Sequence, residues 1–428
     1  MAAVPMEIDT KNMSEDRQIP KTGVKAIKDY TGSFLYDSLY PLLMTMRLLG
    51  LYNSRHSHEK FRYLTLINCI ITGVVILNTL LRMCISFKHI DGFGLELFGA
   101  LITVIWLTWC FCGYVTCLRV WLHESKAPSY FMSFEVVLNS CEHYHECFRL
   151  ILRRRAWVLI GIGIAYIAVN FVFFFNLLFS SEVMAGMKNP QEIYNSFPQW
   201  GKTFTDALIT IGQVHISAAW IFPAFFVHCI SYALILELQC FNKALSAEIT
   251  DDGEFKGDLE KYRVRHQVVA RLIEKADELL SFQVSITLAC SLSLLIFLLY
   301  SVLWDSSIST NPLTILAYVY WMVMSVAFTG LVLYDGASIN EAAHQSLSRL
   351  HDIKLQKHSN IRDLTEITIF LNKLSGPPIG LTAIGLFVID KPTILTAIGM
   401  FLTYFVIVVQ FRMPTSTGDD ASANATLT

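Results

Sequence analysis

The chain has 428 residues, of which 54% are apolar and 16% charged, with a mean hydropathy of +0.47 and a formal net charge of −2. A soluble domain carries about a quarter charged residues, so this composition excludes one. Apolar runs of the length that carries a helix across a ~30 Å hydrocarbon core recur along the chain, and they set an all-α integral membrane protein with no nucleic-acid partner.

Residues 1–62 are polar with mixed charge and contain no signal peptide, so the N-terminus is expected in the cytosol with a pre-membrane helix before the first span. Seven spans are predicted, at 63–87, 95–122, 156–179, 209–238, 283–304, 313–334 and 393–411, each a helix because lipid offers no partner to unpaired backbone groups. The first six form a helical bundle over 63–334, residues 335–392 a cytosolic helical anchor, and 412–428 an extracellular tail.

Charge sets the orientation. The N-terminal segment and the connections 123–155, 239–282 and 335–392 hold 27 Lys and Arg, against four on the opposite side. An excess of Lys and Arg marks the cytoplasm, so the N-terminus is expected inside and the C-terminus outside. A G-protein-coupled receptor has the reverse arrangement. The ten cysteines fall in spans or on the predicted cytosolic side, which implies no external disulfide framework.

Local features follow in chain order. Arg82 and Glu96 lie near the outer ends of adjacent spans and are expected to pair, because an unpaired charge there is costly. In CEHYHEC, 141–147, the Cys and His residues alternate, so a helix would point them apart, and no metal or other cofactor is expected. No nucleophile–base set or phosphate-binding loop marks an enzyme. The segments 265–282, 337–351 and 361–374 repeat apolar residues at helical spacing, which predicts membrane helices running on into a packed cytosolic bundle. The apolar run 379–389 is too short to span and is expected as a cytosol-side helix leading into the last span, with an eighth span as the alternative. A glycosylation sequon at Asn424 falls in the predicted outer tail, and one at Asn12 on the cytosolic side.

The last span ends TYFVIVVQF, 403–411. Residues seven apart return to nearly one helix face, so Thr403 and Gln410 share a stripe with Val406 and Ile407 between them, and Tyr404 and Phe411 share the next. Such a stripe ending in an amide suits a pore lining when several copies surround an axis. It also suits a helix end whose amide meets interfacial water.

Here the sequence resembles the insect gustatory receptor family. Thr403-Tyr404, five mostly apolar residues and Gln410-Phe411 match the family's last-span motif, and 380–400, 41–52 and 265–282 resemble its neighbouring patterns. The resemblance implies a ligand-gated, non-selective cation channel, a tetramer of its own copies or joined with related receptors, in the plasma membrane of a chemosensory neuron. It places Gln410 and Phe411 at the outer gate. It implies a small tastant, a sugar such as fructose or a bitter compound; Phe405, where the main sugar-sensing branch carries Glu, counts against that branch. The pocket it implies lies in the outer half of the subunit. The polar and aromatic residues at that depth are Asn170, Asn176, Gln213, His215, Trp220, Tyr300, Trp304, Tyr318, Tyr320 and Trp321. Intramembrane amides also join helices, and Trp and Tyr also form the interfacial belt. A metabotropic receptor and a transporter are the alternatives.

Overall fold

The computed structural model describes residues 32–52, 59–87, 95–122, 126–139, 145–179, 199–304, 308, 312–353 and 361–410. Among these residues the chain is helical and forms no strand. The helices are α1 Phe34–Leu48, α2 Glu59–Phe87, α3 Leu95–Leu122, α4 Lys126–Asn139, α5 His145–Phe179, α6 Gln199–Ala247, α7 Leu259–Trp304, α8 Pro312–His351, α9 Ile361–Leu374 and α10 Lys391–Gln410. Every expected span falls on a helix, the last of them as far as Gln410, where the described residues end.

Among the described residues, five stretches are long and apolar enough to cross a membrane: Leu97–Val120, Cys147–Phe173, Gly212–Ala247, Leu259–Trp304 and Pro312–His351. Thr65–Leu77 and Lys391–Ile407 are shorter apolar segments. α6, with 49 residues, α7, with 46, and α8, with 40, exceed what a bilayer needs. At ~1.5 Å per residue, even 40 residues extend about 60 Å. The surplus lies at the C-terminal ends of α6 and α8 and the N-terminal end of α7. There Phe241, Leu245, Leu259 and Leu350 close a small second core with Phe370 and Leu374 of α9. The segments 265–282 and 337–351 therefore continue α7 and α8 as expected, whereas 361–374 forms the separate helix α9 and packs against them.

α6 meets α3 at one point set by backbone chemistry. Pro223 has no N–H, so the Ala219 carbonyl loses its helical partner. Gly113 of α3 lies against that carbonyl so closely that a Cβ at Gly113 would collide with the oxygen. Glycine and proline together bring α3 and α6 into contact. α10 packs on α7 and α8, while α5 packs on α1 and α6.

The segment 379–389 corrects the expectation of a helix. It is a tight hairpin-like loop closed by an antiparallel bridge between Thr382 and Val388, with Ala383 N donating to Phe387 O at 3.0 Å and Ile389 N to Leu381 O at 2.9 Å. Its tip turns through Ile384 and Gly385, at φ of 50° and 71°, a left-handed region that glycine occupies freely. Asp277 of α7 supplies the rest: its carboxylate accepts from Thr382 N at 2.6 Å and from Thr382 Oγ1 at 2.7 Å. Asp390 then caps α10, accepting from Thr393 N at 2.9 Å.

Candidate functional site

The amide of Asn170 organises the polar interior of the bundle. Buried on α5, it donates through Nδ2 to Ser217 Oγ of α6 at 2.7 Å and accepts at Oδ1 from Trp321 Nε1 of α8 at 2.9 Å. Tyr320, next along α8, donates to the Tyr166 carbonyl at 3.1 Å and packs on Phe173, with ring centroids 5.3 Å apart. Tyr318 lies 5.7 Å from Trp321. Four of the residues singled out, Asn170, Tyr318, Tyr320 and Trp321, thus converge where α5 and α8 meet, and α6 adds Ser217. An amide that holds two partners in a low-dielectric interior fixes their geometry.

The remaining candidates fall into other groups. Trp220 sits between Trp109, at 5.0 Å, and Phe328, at 4.9 Å, and its buried Nε1 has no hydrogen-bond partner among the described residues. Tyr300 stacks on Trp304 at 5.8 Å and on Phe98 at 4.3 Å. Gln213 is buried on α6. His215 falls two residues before Ser217 and so on the opposite face, with Nδ1 3.0 Å from Thr72 Oγ1 and 3.3 Å from the Leu49 carbonyl. The side chains of Asn176, Arg82 and Glu96, residue Phe411, most of CEHYHEC and both sequons lie outside the described residues.

α10 is the least covered of the apolar helices near the core. Leu395, Ile398, Leu402, Tyr404, Val406 and Ile407 are between 40% and 73% exposed, and Thr403 and Gln410 are exposed too. Ile394 and Ala397 face the core. Thr403 Oγ1 donates back to the Gly399 carbonyl at 2.8 Å. At the head of the helix, Lys391 Nζ reaches Glu341 of α8 at 2.6 Å, and Gly336 of α8 lies directly against Ile389.

Sequence reasoning missed a buried ionisable pair. His228 of α6 and Asp335 of α8 are 4% and 1% exposed, with Nδ1 2.9 Å and 2.8 Å from the two carboxylate oxygens. Arg155 of α5 stands 3.7 Å over the ring of Tyr232, which stacks on His228. The signal was present: a His inside FFVHCIS and an Asp at the end of a long apolar run. Ionisable residues at such positions face partners rather than lipid. Asp335 precedes Gly336, so the pair abuts the loop that leads into α10.

Long apolar helices with polar residues turned inward define a multi-pass α-helical membrane protein. A family model described as "7tm Chemosensory receptor" matches residues 39–414, and the chain belongs to that family. The fold is similar to that of the insect olfactory receptor OR5 from Machilis hrabei, with a TM-score of 0.62, 14% identity, and coverage of 91% of this chain and 98% of that one. The same receptor in complex with eugenol gives a TM-score of 0.58 at 12% identity, covering 87% and 98%. No curated protein sequence matches the chain.

Proposed function

We propose that this chemosensory receptor is a gustatory, ligand-gated cation channel, in which α10 helices of four copies line a central pore. The N-terminus lies in the cytosol and Gln410 and Phe411 stand at the outer mouth. The observation that carries the reading is the bareness of α10: it rests on α7 and α8 along one side and leaves Thr403, Val406, Ile407 and Gln410 uncovered. Lipid suits the apolar members of that surface and Thr403, whose hydroxyl is satisfied on its own helix, but not the exposed amide of Gln410. Copies around an axis suit both, since apolar rings gate by dewetting and amide oxygens replace part of an ion's hydration shell.

The ligand is a small molecule, a sugar or a bitter compound, received near Asn170, Tyr320 and Trp321. Support comes from the convergence of an amide, an indole N–H and aromatic faces at one place, and from the eugenol held by the structurally similar olfactory receptor. The loop 379–389, tied to α7 by Asp277 and to α8 by Gly336, passes movement of the bundle to α10. Expression in a cell without endogenous receptors, with sugars and bitter compounds applied while membrane current is recorded, tests the proposal. Ligand-evoked cation current is the expected result; G-protein-dependent signalling without current would instead make the receptor metabotropic.

A further inference from the structure

α5 carries four arginines within seven residues, Arg149, Arg153, Arg154 and Arg155, and they divide into two pairs. Arg149, itself exposed, lies 5.3 Å from the ring centroid of Phe34, and the half-buried Arg155 lies 3.7 Å from that of Tyr232, so both are engaged on aromatic faces. Arg153 and Arg154 are exposed and form no ion pair among the described residues.

Their surroundings are not those of a solvated charge cluster. Leu150 is 68% exposed, Trp157 58% and Val158 53%, and residues three and four apart share a helix face, so Arg154 interrupts an uncovered apolar strip. The opposite face, with Leu152, Ala156, Leu159 and Ile160, is buried. Water suits the guanidiniums and hydrocarbon suits the strip, and one class of molecule offers both an acceptor and chains.

We propose that Arg153, Arg154 and Trp157 form a binding site for an anionic phospholipid. The guanidiniums donate to the headgroup phosphate, for which Arg is shaped, and the acyl chains run along Trp157, Val158 and Ile162. Trp at such a depth anchors the interface. A second copy of the chain is the poorer occupant: α10 sits mainly on α7, whereas α5 sits mainly on α1 and α6, and a protein partner would have to bring carboxylates into lipid. The site lies on the side that the proposed orientation makes cytosolic. It requires that the chain span a membrane but not that it conduct ions.

The test uses the purified full-length chain in nanodiscs of phosphatidylcholine alone or mixed with phosphatidylserine. Thermal melting and lipid retained after detergent exchange are read together. The wild type is expected to melt higher and to retain phosphatidylserine; R153Q/R154Q is expected to retain about tenfold less, a change of ~1.4 kcal/mol, while K256Q/R271Q, with the same charge loss elsewhere, keeps the wild-type retention. Equal losses in both variants would reduce the effect to general surface charge and overturn the site. Should the glutamine variant misfold, a photoactivatable phosphatidylserine on the wild type decides: labelling of 150–162 supports the site, and labelling elsewhere alone overturns it. Displacement of the lipid by millimolar inorganic phosphate would overturn the assignment to a lipid.

Discussion

Asp277 on α7 holds Thr382 by both its backbone N–H, at 2.6 Å, and its hydroxyl, at 2.7 Å, across 105 residues of sequence. Thr382 Oγ1 also accepts from Gly385 N at 2.9 Å, so a single side chain ties the loop to α7 and shapes its tip. Thr382→Val keeps the backbone bond and removes both hydroxyl contacts. A loss of about 0.5–1.5 kcal/mol is expected from a half-buried carboxylate left with one donor fewer, visible as a lower melting temperature. Thr382→Ser should restore it. Because the loop runs straight into α10, the valine variant should also shift the concentration for half-maximal current; unchanged melting would show that the hydroxyl contacts carry no stability.

This loop also marks where local pattern ceases to be a guide. The periods of 265–282 and 361–374 foretold helices because their partners lie on the same local face, and α7 and α9 follow. The run 379–389 has the apolar content of a buried helix, yet its conformation depends on a carboxylate more than a hundred residues earlier. Gly376-Pro377-Pro378, Gly380 and Gly385 were the local hints. The site divides in the same way. Asn170 and Trp321 stand out as polar and aromatic residues in apolar helices, but the bond between them, 151 residues apart, is a tertiary fact. The pairing of His228 with Asp335 is equally non-local: neither belongs to a motif, and each makes sense only beside the other.

His266 predicts how the packed extension responds to acid. It is 2% exposed, lies 5.5 Å from the ring of Phe241 and 5.3 Å from that of Phe370, and its Nε2 is 3.1 Å from the Ala343 carbonyl, to which the neutral ring donates. Burial pushes its pKa below the ordinary 6.5, and nearby His344 and Lys373 push the same way, against the Ala343 bond. The unfolded chain therefore takes up a proton that the folded chain refuses. Stability should be level above pH 6.5 and fall as pH drops below it, by up to about 1.4 kcal/mol per unit. His266→Gln should be less stable at pH 7.5 and lose this part of the acid slope. An identical slope in both proteins would exclude His266 as its source.

Gly113 predicts the cost of separating α3 from α6. A methyl group there meets the Ala219 carbonyl, which belongs to backbone and cannot swing aside. Gly113→Ala should cost about 1–3 kcal/mol, the usual penalty of overpacking, and Gly113→Val more. Gly161 and Gly330 have nothing within 4 Å of an added Cβ, so alanine at either should melt within about 0.5 kcal/mol of wild type. Melting temperatures of the four variants check the ranking.

Asn170 and Trp321 predict the ligand response. Trp321→Phe preserves the aromatic face but leaves Asn170 Oδ1 without its donor. If this convergence receives the ligand, the variant should raise the half-maximal concentration by about tenfold, ~1.4 kcal/mol of binding, while maximal current and surface expression hold. Ser217→Ala removes the other partner of the same amide and should shift the response in the same direction. A fall in maximal current with an unmoved half-maximal concentration in both variants would assign the triad to structure rather than to recognition.

Gln410 carries the strongest prediction, because the pore reading and its alternative diverge there. Exposed on α10 and in register with Thr403, it becomes one of four amides around an axis if the copies assemble as proposed. Gln410→Glu would then place four carboxylates at the outer mouth. Like charges brought together hold cations strongly and delay their exit, so single-channel current should change and external calcium should block at lower concentration. Gln410→Ala should alter permeation without adding charge. If Gln410 instead meets interfacial water at the edge of a lipid-facing helix, neither change reaches the ion path. Surface expression and current would then match the wild type in both variants, and α10 would lose its place at the axis.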